Sequence, residues 1–295
     1  MKSAQLNTMI KRFTLIFVCL IFISSCTTKV AYNFLDWAMM WYFESYVSLN
    51  KEQKKYTKKQ LDDFHHWHRT TQLPRYALYL EGLKIRLNSD QLNAEMIHKE
   101  TDELQLFLDD SLNYLTPLFA QLLASFSDQQ VEELLASIAD DRDEYQQEFV
   151  DVSEKELHKA RIKELKSNLS LASIGSYSKQ QNNTLKNWSH SLTPFEQLAL
   201  EQQEIWAEEL TLALAERQDR VKLEATLKKL LFVHTDHWAE ELERRMDQNQ
   251  ALTYAMLAEL INSLSSKQRK KMNRRIDNYI EDFRALALAK TNSAN

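Results

Sequence analysis

FSDQQVEELLASIADDRDEYQQEF, residues 126–149, sets the fold class. An apolar residue precedes Ser127, and Gln130 stands three positions after that serine. This is the pattern of a capping box: the hydroxyl accepts from an otherwise orphaned N–H of the first helical turn, and the glutamine reaches back to the cap's own N–H. Val131, Leu134, Leu135, Ile138, Tyr145 and Phe149 then recur at helical spacing, largely on one face. The stretch predicts a helix beginning at residue 127 or 128 that packs through a single apolar stripe.

The same phrase recurs outward from it. LNKEQ at 49–53, LNSDQ at 87–91 and LSSKQ at 264–268 place predicted caps at Asn50, Asn88 and Ser265. LTPFE at 192–196 is a variant that predicts a cap at Thr193, with Pro194 at the first helical position, where a missing N–H costs nothing. Thr116 before Pro117, and Ser153 with Glu156, predict two further starts. From Thr193 to about Met246 no breaker follows Pro194, so the stretch reads as one helix or two. Unbroken, it would run about 80 Å at 1.5 Å per residue. Leu223, Leu227, Leu230, Trp238 and Leu242 share a face within it.

Two glycines and three prolines in 295 residues leave almost no turn chemistry for hairpins, and no glycine-rich phosphate loop is present. Strong helix formers dominate the remainder. The expectation is an all-α, elongated multi-helix bundle, built either as one body or as two helical halves. Those halves would be 26–165 and 192–295, joined by the polar segment 166–191, which contains Gly175.

Residues 1–25 read as a lipoprotein signal peptide. Lys2, Lys11 and Arg12 precede the uncharged run Phe13–Ile23, whose 11 residues are too few for a bilayer-spanning helix. The run ends in Ile23, Ser24, Ser25 and Cys26, a lipobox: a branched residue, two small residues, then the thiol that takes a diacylglyceryl group. Cleavage is expected after Ser25, with several acyl chains, palmitate among them, holding Cys26 firmly in a membrane. Thr27 in place of Asp favours the outer membrane of a Gram-negative cell, on its periplasmic side. Cys19 leaves with the signal, so the mature domain would carry no free thiol and no disulfide.

Removing residues 1–25 takes three basic and no acidic residues from a balance of 37 against 42, leaving a formal charge of minus eight. A mildly acidic, mixed-sign surface has no electrostatic footprint for nucleic acid.

Residues 30–49, VAYNFLDWAMMWYFESYVSL, are apolar around the whole circumference apart from Asp36 and Glu44. Such a helix is either covered on several sides in a bundle or laid on a membrane surface, where Trp and Tyr favour the interface. Lys51, Lys54, Lys55, Lys58 and Lys59 follow it and read as a solvated face or as contacts to anionic headgroups. Trp37, Trp41, Phe43 and Trp206 are the residues expected to line an apolar interaction surface if there is one.

The densest polar cluster is Asp62, Asp63, His65, His66, His68 and Arg69, and His234 with His237 repeats the three-residue histidine spacing. If the two stretches touched, His65, His66, His68, His234 and His237 would be candidate metal ligands. The alternative is core histidines each bonded to one partner. HExxH, GxSxG and the Glu-x-x-His signature of di-iron bundles are all missing from the sequence. No catalytic residue and no cofactor is therefore expected.

Two resemblances follow from these residues. AYNFLDW at 31–37 with WHRTTQLPRYALYL at 67–80 resembles an uncharacterised family of Gram-negative lipoproteins with a YN-x-x-DW start, a WHR block and an LP-x-YA block. That likeness implies a lipoprotein and no activity. The Gln-ending caps resemble the LTxxQ motif of the periplasmic Spy and CpxP family, which implies a chaperone-like or stress-sensing role. The resulting expectation is a non-enzymatic, lipid-anchored helical lipoprotein that binds a protein partner or client in the envelope. The alternatives are a metal-binding protein using the histidine clusters and a structural spacer for outer-membrane assembly.

Overall fold

A computed structural model describes residues 29, 32–89, 91–169, 174–232 and 238–289. The described residues form helices and no strand. Helix α1 is Leu35–Glu44, α2 Lys51–Trp67, α3 Leu73–Leu87, α4 Ala94–Ala124, α5 Asp128–Tyr145 and α6 Glu154–Leu169. Helix α7 is Lys179–Ser191, α8 Glu196–Ala215, α9 Arg220–Leu231, α10 Glu240–Asn262 and α11 Ser266–Leu288. The predicted signal peptide, residues 1–25, and Cys26 lie outside the described residues, as do His234 and His237.

Capping boxes close at Asn50, Ser127 and Ser265, each with its glutamine bonded back to the cap N–H. Ser153 and Glu156 make the reciprocal pair ahead of α6. Three predicted starts fall elsewhere. Asn88 ends α3, its amide donating to the Lys84 carbonyl at 2.6 Å, and the next helix is capped instead by Asn93. Pro117 lies inside α4: Thr116 donates its hydroxyl to the Leu112 carbonyl, and buried Leu112, Leu115, Leu118 and Leu122 hold the helix together across the proline. Thr193 pairs its backbone N–H and C=O with the Asn249 side chain, both at 2.8 Å, so α8 begins later, at Glu196. The stretch after Pro194 is accordingly broken into α8, α9 and the start of α10.

The described part of 166–191 holds the end of α6 and the whole of α7. Gly175, at φ 86°, takes a left-handed conformation that side-chain-bearing residues rarely adopt. The chain then enters α7 through a fourth box, Ser178 with Gln181.

These caps are joined in pairs. Gln53 donates to the Ser125 carbonyl and to Gln130, while Gln130 donates to the Ser48 carbonyl and back to Gln53. Gln181 donates to the Ser263 carbonyl and to Gln268, while Gln268 donates to the Ser176 carbonyl and back to Gln181. The same four-part arrangement thus occurs twice, tying the start of α2 to α5 and the start of α7 to α11.

The largest core mixes both ends of the chain. Leu61 and Phe64 of α2, Leu73 and Tyr76 of α3, and Phe107 of α4 pack with Met272, Ile276 and Phe283 of α11. Helices α2, α3 and α4 therefore share this core with α11. A second cluster joins Leu210 and Leu214 of α8 to Leu223 and Leu227 of α9, against Ala120 and Ile138.

Candidate functional site

Between α2 and α3 the helix does not stop. Residues His68–Gln72 form one π-helical turn, in which the Leu73 N–H bonds the His68 carbonyl. Pro74 explains it: a proline there has no N–H for the carbonyl four residues back, and its ring would clash with that group. Widening the turn relieves both problems, and π-bulges of this kind are frequent at functional positions. The bulge buries His68, Arg69 and Gln72 together.

Those buried groups hold the start of the domain. The Tyr32 hydroxyl lies 2.9 Å from His68 Nδ1, and His68 Nε2 lies 3.2 Å from the Tyr76 hydroxyl. Arg69 donates to Asn33 Oδ1 at 2.7 Å. The YN of the first family-like block is therefore bonded to the HR of the second. Burial drives the His68 pKa down to about 3 and that of His65 to about 4, the Arg69 charge adding to the effect at His65. Both imidazoles are held neutral. Burial pushes the phenols of Tyr32 and Tyr76 above their ordinary range.

Both His68 ring nitrogens are engaged by tyrosines, and the His65 ring lies tilted against Tyr32 at 4.6 Å with its Nε2 buried and unpartnered among the described residues. His65, His66 and His68 do not converge on a common point with a carboxylate; among the described residues the group that does is elsewhere.

Held in this way, α1 presents two unlike faces. Leu35 and Met39 are buried, whereas Phe34, Trp37 and Trp41 are 59%, 64% and 55% exposed. Positions i, i+3 and i+7 fall on one side of a helix, so these three rings form a continuous apolar edge. The helix is neither covered on all sides nor fully surface-laid.

Behind α1 lies an apolar cavity of about 180 Å³. Phe43 of α1, Phe119 of α4, Leu134 of α5 and Trp206 of α8 are among its walls. Trp206 donates its indole N–H to the Leu230 carbonyl at 2.9 Å, so its ring faces the cavity without an unpaired donor. At the rim Tyr42 and Tyr46 share a hydrogen bond of 3.1 Å, and Tyr46 donates to Asp141. Burial, with the Asp141 contact, pushes the Tyr46 phenol far up. A lining this apolar suits small apolar groups. Of the four residues predicted for an interaction surface, Trp37 and Trp41 thus lie on the exposed edge, and Phe43 and Trp206 line the cavity. Leu134 and Ile138 stand on the apolar stripe of α5 and also line this cavity; no local pattern tells a stripe that fills a core from one that walls a void.

Three of the five lysines that follow α1 form ion pairs at the surface. Lys54 pairs with Glu44, Lys58 with Asp62 and Lys59 with Asp63. No helix of the described residues is long and apolar enough to cross a membrane.

No curated protein and no solved structure matches the chain. A family match spans residues 45–245 and takes in the Trp67–Arg69 and Leu73–Ala77 blocks, while the Tyr32–Trp37 block precedes it. On that match the chain belongs to the family described as "Family of unknown function (DUF6279)".

Proposed function

We propose that this chain is a non-enzymatic, lipid-anchored helical protein of the Gram-negative envelope that binds a protein partner or client through the aromatic edge of α1. The observation that carries this reading is the exposure of Trp37 and Trp41 on a helix whose other face is buried. Exposed apolar groups gathered on one edge mark interaction surfaces more often than chance scatter does. The edge begins eight residues after Cys26, so an acyl anchor there would hold it close to the outer membrane. A membrane-lying helix would be expected to carry a free basic face, and the adjacent lysines are mostly paired, which favours a protein over a lipid surface as the occupant. The likeness of the caps to the LTxxQ motif supports the client-binding form of the reading.

The test is crosslinking in intact cells with the natural chain and a Trp37→Ala/Trp41→Ala variant. Loss of discrete protein adducts from the variant, at equal abundance, supports the reading. Undiminished adducts would overturn it. If the unacylated chain instead binds vesicles of phosphatidylethanolamine and phosphatidylglycerol through the two tryptophans, the edge belongs to the membrane. For the anchor, globomycin should make the uncleaved precursor accumulate; a precursor that does not accumulate removes Cys26 as the acylated residue.

A further inference from the structure

Helices α6 and α7 pack side by side and bring together Glu154, His158 and His190. One ligand atom from each lies within 4.8 Å of the other two. The two imidazole centroids are 3.8 Å apart, and His158 Nε2 is 3.5 Å from Glu154 Oε1. His158 is nearly covered, its side chain 11% exposed, whereas Glu154 is 87% exposed. The cluster is therefore sheltered on one side and open to solvent on the other.

Hydrogen bonding fixes which nitrogen of His158 is free. Ser189 is fully buried, and its Oγ lies 3.2 Å from the His158 carbonyl oxygen and 3.1 Å from His158 Nδ1. The hydroxyl has one hydrogen, and the carbonyl can only accept. Both contacts are satisfied together only if Ser189 donates to the carbonyl and His158 Nδ1–H donates to Ser189. Nε2 of the neutral ring then carries a lone pair and faces the Glu154 carboxylate. That nitrogen, 3.5 Å from the Glu154 carboxylate, can take a proton and pair with Glu154, or take a metal ion shared with it.

The geometry suits a metal ion. Zinc binds histidine nitrogen and carboxylate oxygen at 2.0–2.2 Å, so tetrahedral ligand atoms stand about 3.3 Å apart. The His158–Glu154 separation is already close to that, and the His190 ligand atom lies within 4.8 Å of both. A metal-ligating histidine usually donates its other ring N–H to an oxygen that orients it, and Ser189 fills that place. Arg161, one turn beyond His158, is compensated by Glu196 at 2.6 Å.

We propose that Glu154, His158 and His190 form a binding site for a borderline divalent transition-metal cation, with Zn²⁺ the best fit. The fourth position remains for water or for a ligand atom of a partner. An ion there clips the start of α6 to the end of α7. This site is separate from the α2 histidines and from the aromatic edge.

Zinc chloride titrated into metal-stripped, tag-free protein, followed by calorimetry and by thermal unfolding, tests the proposal. One equivalent should bind saturably and raise Tm, and magnesium chloride should do neither. His190→Ala and Glu154→Gln alter exposed side chains and should leave the fold intact, yet each should weaken zinc binding about tenfold or more and remove the Tm rise. A His65→Ala/His66→Ala variant should bind as the natural chain does. Absence of a saturable equivalent in the natural chain, or undiminished zinc binding by His190→Ala, would overturn the site.

Discussion

Gln53 and Gln130, 77 residues apart in the chain, exchange side-chain hydrogen bonds of 3.0 and 2.7 Å. Each also closes the capping box of its own helix, so one pair of carboxamides caps two helices and welds them together. Gln181 and Gln268 repeat this in the second half of the chain. Shortening Gln130 to alanine leaves the Gln53 amide and the Ser48 carbonyl short of a partner. The expected cost is about 2 kcal/mol, with Gln181→Ala similar, because an unpaired buried amide loses its full solvation. Urea unfolding measures it; a double-mutant cycle on Gln53 and Gln130 should show coupling, and additive losses would contradict the shared cap.

His68 makes stability depend on acid. Its folded pKa of about 3 lies below the ordinary value of 6.5, so the unfolded chain binds the proton first. The contribution is fully present above about pH 6.5 and is lost as pH falls toward 3. From pH 7 to pH 5, His68 alone should lower stability by about 2 kcal/mol, and His65 adds to the same trend. Denaturant unfolding at the two pH values checks this. A His68→Phe variant should be less stable at pH 7 but should show a shallower decline.

Arg161 and Glu196 form a buried ion pair, each side chain 5% exposed, with Arg161 also donating to the Ser189 carbonyl. Glu196→Ala leaves a buried guanidinium without its counter-charge and should cost about 3–5 kcal/mol. Replacing both by Met and Leu should cost much less. Similar losses for the single and double variants would show that packing, and not charge, decides the site.

Pro117 sits mid-helix in α4 with an exposed side chain, where it removes an N–H and crowds the preceding turn. Pro117→Ala should therefore stabilise the protein, by about 1–3 kcal/mol in thermal or chemical unfolding. A destabilised variant would mean that the proline serves the packing around Leu115 and Leu118.

The boxes at Asn50, Ser127, Ser153 and Ser265 were legible because a capping box is local: five residues contain both its donors and its acceptors. Ser178 carries the same signal in YSKQQ at 177–181, hidden inside a stretch whose polar composition reads as linker. Asn88, Thr116 and Thr193 carry the local pattern too, but contacts distant in sequence engage the Asn88 side chain and the Thr193 backbone, and the residues around Thr116 are buried. The two-faced character of α1 was not legible, since every face of 30–49 is apolar and only the position of α2 and α3 decides which is covered. Nor was the Glu154, His158 and His190 cluster, because His158 and His190 lie on different helices with no spacing to betray them.

The aromatic edge is the centre of the functional reading. Because Trp37 and Trp41 project from the bundle, replacing both with alanine should change stability by no more than about 0.5 kcal/mol, so a loss of binding cannot be blamed on unfolding. The most direct measurement is a photoreactive amino acid placed at position 37 or 41 of the full chain in living cells, with position 221 on α9, 82% exposed, as the control. The account predicts a discrete protein adduct from 37 and 41 and none from 221. No protein adduct at 37 and 41, or the same adducts from all three positions, would contradict it.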